Sequence, residues 1–168
     1  AEAINARLAE AAQHLGVALA VGSQRAAIEG GASGGLDRTL RRRAPDTVIL
    51  SNIGAAQLTR GFGLDEARRA MDMIDADALV VHLNPLQEAC QPEGDRYWWG
   101  VGAALEALIL KLEAPVVVKE TGAGLSGRTA RRLIDMGAAA VDVAGAGGTN
   151  WARVEGERAS NPFDKAHA

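Results

Sequence analysis

Short apolar runs recur along the chain at intervals of about thirty residues, and each run ends in a polar or glycine-rich segment. The runs are rich in Val, Ile and Leu, which is typical of strands buried on both faces of a parallel sheet. Each interval leaves room for one helix, so the pattern predicts consecutive βα units of a parallel sheet or barrel. The five predicted strands start at residues 17, 47, 79, 115 and 139.

The segments between the runs carry apolar residues at helical spacing. Gly16 and Gly137 are predicted helix stops, and Ser126 is a predicted N-cap. The crossover over residues 26–46 is the least helical, because a glycine cluster interrupts it. The predicted helices cover residues 1–15, 65–76, 96–112 and 126–136.

Polar residues gather after the third apolar run. His82, Asn84, Gln87 and Glu88 follow it within seven residues, and Pro85 stops further strand pairing. In parallel α/β sheets and barrels the chemistry sits beyond the carboxyl ends of the strands. These side chains can supply a proton relay, amide hydrogen bonds and a carboxylate for a cation. An ordinary polar turn is the alternative, but the same arrangement recurs after the other strands, which favours a functional site.

Composition restricts the class of protein without naming an activity. A chain of 168 residues with 48% hydrophobic residues can bury one sizeable core, so one domain is expected. A net charge of −3 argues against a general nucleic-acid binder, and neither a membrane span nor a signal peptide is predicted. The single cysteine, Cys90, excludes an internal disulfide and fits a reducing cytoplasm. Five strands suit a small open sheet or part of an eight-stranded barrel, which typically needs about 250 residues.

Five loops resemble, in the same order, the barrel loops of type 2 isopentenyl-diphosphate isomerase, a flavin-dependent family. The resemblance runs from about residue 4 to about residue 158 and implies an α/β fold, the TIM (β/α)8 barrel. It implies a single partial barrel domain over residues 1–168, with about five βα units (strands two to six). The family's N-terminal Arg-Lys motif and early Gly-Gly loop are expected before residue 1, and its later glycine-rich loops after residue 168. The matching loops are 21–25, 51–55, 82–88, 118–124 and 145–151.

The resemblance also implies a reaction, its cofactors and its partners. We expect conversion of isopentenyl diphosphate to dimethylallyl diphosphate with reduced FMN and Mg²⁺, with NADPH as the reductant. A small isoprenoid diphosphate would be the partner, without nucleic acid or membrane, in a cytoplasmic homo-oligomer that is a tetramer or larger in the family. Two alternatives stay open: a related FMN-dependent barrel oxidoreductase of the 2-hydroxy-acid oxidase type, and an inactive phosphate-binding barrel fragment.

Residue roles are carried over from the resemblance position by position. Ala144 stands where the family pattern has Ser, which removes one expected hydrogen bond to the flavin. Glu88 is expected to bind Mg²⁺, while Gln87 and His82 are the expected catalytic residues. The flavin would contact Ser23, Asn52, Lys119 and Thr149. The substrate would contact Arg25, Gln24, His82, Asn84, Gln87 and Trp151.

Overall fold

The computed structural model describes residues 1–158 and forms one parallel sheet of five strands in the order β1-β2-β3-β4-β5. Each strand pairs in parallel with its neighbour in the sequence. All five predicted strands are therefore present, although the first apolar run contributes a two-residue strand. The strands are β1 (Leu19–Ala20), β2 (Ile49–Gly54), β3 (Ala78–Leu83), β4 (Val116–Glu120) and β5 (Ala140–Asp142).

The four predicted helices are present, together with four shorter helices among the described residues. The third predicted helix starts later than expected, because Gly100 adopts a left-handed backbone (φ 81°) just before it. A 3₁₀ helix (Ala55–Thr59) follows β2 directly. The helices are α1 (Glu2–Leu15), α2 (Arg25–Ile28), α3 (Thr39–Arg43), α4 (Leu64–Ile74), α5 (Pro85–Cys90), α6 (Val101–Lys111), α7 (Gly127–Asp135) and α8 (Trp151–Arg158).

The prediction of a TIM (β/α)8 barrel is wrong for the structure of this chain. Over residues 1–158, β1 is hydrogen-bonded to β2 and β5 to β4, so the sheet is an open half-barrel with two edges. A barrel closes when its last strand pairs with its first, which in this fold takes eight strands. Five strands form about half of such a barrel, so β5 does not pair with β1.

The sheet presents two different faces. Sequential parallel strands with right-handed crossovers place the connecting helices on one face, where the larger core cluster forms around Leu79, Val81 and Val118. Side chains alternate along each strand, so the opposite face carries Asn52, His82 and Lys119. His82 and Lys119 are register partners across β3 and β4. The chemistry-bearing residues therefore lie together on the open, concave face, near the carboxyl ends of the strands.

Candidate functional site

A pocket of about 550 Å³ opens at the carboxyl end of the sheet. It is bounded by the loops after β1, β2, β3 and β4 and by the start of α8. Most of the residues predicted from the sequence line it, although they are spread over 129 positions, from 23 to 151. The lining residues among them are Ser23, Arg25, Asn52, His82, Asn84, Gln87, Glu88, Lys119 and Trp151.

Two predicted residues lie outside this pocket. Gln24 is fully buried, and its side chain turns toward α4, where Nε2 donates to the Ala70 carbonyl at 2.8 Å. Its Oε1 accepts from the Asn52 backbone N–H at 2.9 Å, so Gln24 ties two strand ends together. Thr149 is exposed in the loop before α8. The structure does not bring Gln24 or Thr149 to the ligand-sized cavity, and their binding roles stay predictions.

His82 and Asn52 form a hydrogen-bonded pair at the floor of the pocket. The Nδ1 atom of His82 lies 2.8 Å from Oδ1 of Asn52, and Nδ2 of Asn52 donates to the Val21 carbonyl at 2.9 Å. Burial, and then the nearby Lys119 ammonium, lowers the pKa of His82 to about 4. His82 is therefore neutral at physiological pH.

Close packing around His82 depends on Gly54 at the end of β2. A Cβ atom at this position would overlap Oε1 of Gln57 and lie 2.9 Å from Nε2 of His82. A residue without a side chain is thus needed for His82 and Gln57 to occupy the same corner of the pocket.

Lys119 brings a positive charge to the pocket without a salt-bridge partner among residues 1–158. Its Nζ donates to the Glu120 carbonyl at 2.9 Å. The Glu120 carboxylate instead accepts three successive backbone N–H groups, from Gly122, Ala123 and Gly124, at 2.6 to 2.8 Å. An ammonium in this setting favours an anionic partner, such as a phosphate or an anionic ring.

Glu88 is buried at the first turn of α5, and both of its carboxylate oxygens have protein partners. Oε1 accepts from Nδ2 of Asn84 at 2.8 Å, and Oε2 accepts from the Asp95 backbone N–H at 2.7 Å. Pro85 starts this helix and fixes the turn that brings Asn84 and Glu88 together. Each oxygen keeps a further lone pair, so the contacts orient the carboxylate without using up its acceptor capacity.

Asn84 supplies an unusual oxygen next to this carboxylate. Its Oδ1 is buried and has no hydrogen-bond partner among the described residues. Such an atom is costly unless a ligand satisfies it. Together with Glu88 it makes an oxygen donor set of the kind that a hard divalent cation prefers. No group of three or more His, Cys, Asp or Glu residues within positions 1–158 is placed to hold a metal by itself.

A buried glutamate on α8 faces the predicted catalytic glutamine. Oε1 of Glu155 accepts from Nε2 of Gln87 at 3.3 Å and from Nε2 of Gln91 at 2.7 Å. Oε2 of Glu155 accepts from Nη1 of Arg158 at 2.9 Å. α8 thus closes one side of the pocket with Trp151 and fixes Gln87 from the far side.

Three of the curated proteins that are similar to this chain share one name. The isomerase of Xanthobacter autotrophicus (strain Py2) is 67% identical over 158 residues, which cover 94% of this chain and 46% of the relative. The protein of Stutzerimonas stutzeri (strain A1501) is 62% identical over 166 residues, which cover 99% of this chain and 48% of the relative. The protein of Synechocystis is 55% identical over 158 residues, which cover 94% of this chain and 45% of the relative. All three relatives are named isopentenyl-diphosphate delta-isomerase.

The chain spans about half the length of these isomerases. No family model matches the sequence. A crystal structure of the Amycolatopsis orientalis BexX/CysO complex aligns with 79% of this chain and 44% of its own, at 24% identity and a TM-score of 0.42, which is too weak a likeness to support an argument. None of the helices formed by the described residues is long and apolar enough to cross a membrane.

Sequence reasoning missed several residues that shape the pocket. Asp95 is buried and contacts Arg25 and the Glu88 carboxylate, and Gln57 lines the cavity. Glu155 was missed because no helix was predicted after Trp151, although a spacing of four residues places both on one face of a helix. The segment before Trp98 carried no apolar periodicity, so Asp95 left no signal in the sequence.

Proposed function

We propose that the protein containing this chain is an isomerase that converts isopentenyl diphosphate to dimethylallyl diphosphate and belongs to the FMN-dependent type. The observation that supports this most is the convergence of Arg25, His82, Gln87, Glu88 and Lys119 on one pocket. High identity to isomerases over nearly the whole chain adds to that support. A cytoplasmic location and assembly into a homo-oligomer are parts of the proposal.

The polar end of the pocket suits a diphosphate. Arg25 presents a guanidinium, whose planar fork matches phosphate oxygens, at the first turn after β1. The Glu88 carboxylate and the unpaired Oδ1 of Asn84 fit Mg²⁺, which binds through carboxylates and substrate phosphates. We assign these residues to the charged end of the substrate, with the neutral His82 in the same pocket.

The reacting end would lie toward Gln87. The neutral amide of Gln87 accepts from Nδ2 of Asn84 at 3.3 Å and donates to Oε1 of Glu155 at 3.3 Å, so its orientation beside the pocket is fixed. The isoprenoid chain is apolar, and Trp151 offers it a large ring at the pocket wall. α8 packs against α5 at this side of the pocket, with Ala152 and Glu155 buried.

Reduced FMN, kept reduced by NADPH, would supply an electron-rich ring that stabilises positive charge developing on the alkene. Ser23, Asn52 and Lys119 are the residues of this chain that fit its ring edge, since they line the same pocket. Lys119 has the ammonium that an anionic ring requires, with no salt bridge to a described residue that competes for it.

The decisive experiment is turnover by the full-length protein. We expect the purified protein to be yellow with FMN absorbance, and to convert isopentenyl diphosphate to its isomer under anaerobic, reducing conditions with Mg²⁺. Omission of the reductant and omission of Mg²⁺ are the two controls, and each should abolish activity. Absence of both bound flavin and product would overturn the proposal. Bound flavin with oxidation of a 2-hydroxy acid instead would point to an oxidoreductase.

A further inference from the structure

Asp95 is a buried carboxylate beside the pocket that the proposed function leaves without a role. It lies just before α6, and 4% of its surface is exposed. Oδ2 lies 3.6 Å from Nη1 of Arg25 and accepts from Nε2 of Gln57 at 3.4 Å. Oδ1 pairs with Nη1 of Arg60, which follows the 3₁₀ helix. One carboxylate therefore gathers side chains from the segments after β1 and β2.

The backbone of Asp95 is fixed as firmly as its side chain. Its N–H donates to Oε2 of Glu88 at 2.7 Å, and its carbonyl accepts from Nε1 of Trp98 at 2.8 Å. Gly94 permits this approach, because a Cβ at that position would overlap the backbone carbonyl of Glu88. Asp95 thus has little freedom to move, which makes it a rigid reference point for its partners.

Arg25 is the partner whose position matters for binding. Its side chain is 43% exposed, and without fixed contacts it would sample many rotamers. Nε is held by Glu29 at 3.1 Å and Nη1 by Asp95, which leaves the rest of the guanidinium for a ligand. A pre-oriented guanidinium loses less entropy on binding than a free one.

We propose that Asp95 is a positioning residue that orients the guanidinium of Arg25 for anion binding. This inference rests on the proposed function in one respect: Arg25 is taken to bind the diphosphate. In this role Asp95 acts through Arg25 and does not bind the ligand itself. Its backbone N–H meanwhile donates to Glu88 and holds that carboxylate close to Arg25. One buried residue thereby couples the two sides of the polar end of the pocket.

The positioning role of Asp95 and the direct effect of its negative charge on an anion have opposite consequences for binding. A negative charge close to an anion site repels the anion, so its removal should tighten binding by Coulomb's law. Loss of a positioning contact should weaken binding, because Arg25 becomes disordered. The two explanations therefore predict opposite signs for Asp95→Asn.

The test is calorimetric titration of the full-length protein with inorganic pyrophosphate, with no Mg²⁺ and no reductant. We expect Asp95→Asn to weaken pyrophosphate binding roughly tenfold, in line with other residues that orient a ligand-binding side chain. Asp77→Asn is the matched control. Asp77 also pairs with an arginine, Arg41 at 2.7 Å, and accepts a backbone N–H, from Ile49 at 2.8 Å, but lies at the other end of the sheet. The affinity of the Asp77→Asn variant for pyrophosphate should stay within about twofold of the wild-type affinity.

A double-mutant cycle decides whether Asp95 works through Arg25. Asp95→Asn should add little once Arg25 is alanine, because both changes remove the same oriented guanidinium. Unchanged or tighter binding in Asp95→Asn, full additivity in the double variant, or wild-type binding in Arg25→Ala would each overturn the proposal. If Asp95→Asn does not fold, as judged by circular dichroism, Asp95→Glu keeps the charge and should still weaken binding, and wild-type affinity there would overturn the proposal.

Failure of the proposed function gives a different result. In that case the full-length protein would not isomerise isopentenyl diphosphate, while pyrophosphate binding would still fall in Asp95→Asn and in Arg25→Ala.

Discussion

At the scale of single residues, several polar side chains of the pocket are held in place by hydrogen bonds to other residues of the protein. Glu88, Gln87 and Asn52 each hydrogen-bond to neighbours that fix their orientation. Lys119 lacks a salt bridge to any residue within 1–158, and Oδ1 of Asn84 is a buried oxygen there without a hydrogen-bond partner. Preorganised groups with a few unsatisfied atoms are what a polar ligand site requires.

The lowered pKa of His82 predicts acid sensitivity. The unfolded chain binds a proton on this ring below its ordinary pKa of 6.5, whereas the folded chain does so below about 4. Acidification between these values therefore favours unfolding, by up to about 2 kcal/mol after allowance for partial exposure of the ring. Chemical denaturation from pH 7 to pH 4 should show this loss, and His82→Gln should reduce it. His14→Gln is the control, and an equal reduction in that variant would contradict the assignment.

Substitutions of the neighbouring residues Gln87 and Glu88 are predicted to change different kinetic parameters. Glu88→Gln should raise the Mg²⁺ concentration needed for half-maximal activity and raise KM, because an amide is a weaker ligand for a hard cation. Gln87→Ala should lower kcat with little change in the Mg²⁺ curve, since it touches the reacting end. Mg²⁺ titrations of both variants in the full-length protein measure the difference. A wild-type Mg²⁺ curve in Glu88→Gln would place the metal elsewhere.

At the scale of elements, strands were easier to predict than the helices that follow them. The runs that became β2, β3 and β4 are continuous and apolar because most of their side chains are buried, and this leaves a clear signal. The short helices α2, α5 and α8 bury few side chains, so their sequences carry little periodicity. α5 was predicted as a polar loop, yet Pro85 at its first turn and the i to i+4 bond from Glu88 N–H to the Asn84 carbonyl make it helical.

The loop after β4 is predicted to depend on one carboxylate. Glu120 accepts three backbone N–H groups of this loop and is buried, so Glu120→Gln replaces a charged acceptor by an amide that also carries donors. We expect the free energy of unfolding to fall by about 1–3 kcal/mol. Denaturant titration measures this, with the exposed residue Glu113 changed to Gln as control. Equal stability of the two variants would show that the loop is held by other contacts.

At the scale of the whole molecule, the open sheet explains what the sequence could and could not predict. The order of strands and the gathering of polar residues at their carboxyl ends follow from local patterns. Closure of the sheet does not, because it depends on whether the last strand meets the first, and β5 does not reach β1 in residues 1–158. The resemblance led us to a barrel, whereas the described residues form half of such a circuit.

The two open edges predict self-association of this chain when it is produced by itself. β5 offers unpaired backbone groups, and the concave face is covered by no sheet among the described residues. We expect the apparent mass in analytical ultracentrifugation to rise with concentration. Ala140→Lys, which places a charge at an exposed position of the edge strand β5, should shift the equilibrium toward the monomer. A monodisperse monomer at all concentrations would contradict this prediction.

The pairing of Asn52 with His82 has a consequence for the kind of ligand group that the pocket accepts. The Val21 carbonyl is purely an acceptor, so the amide of Asn52 must point Nδ2 toward it and Oδ1 toward the imidazole. The neutral ring therefore carries its hydrogen on Nδ1, and Nε2 is left with a lone pair. In this tautomer His82 can receive a hydrogen bond at Nε2 but cannot give one. A ligand group that contacts this nitrogen must therefore bring a hydrogen to donate, as a hydroxyl group or a water molecule does.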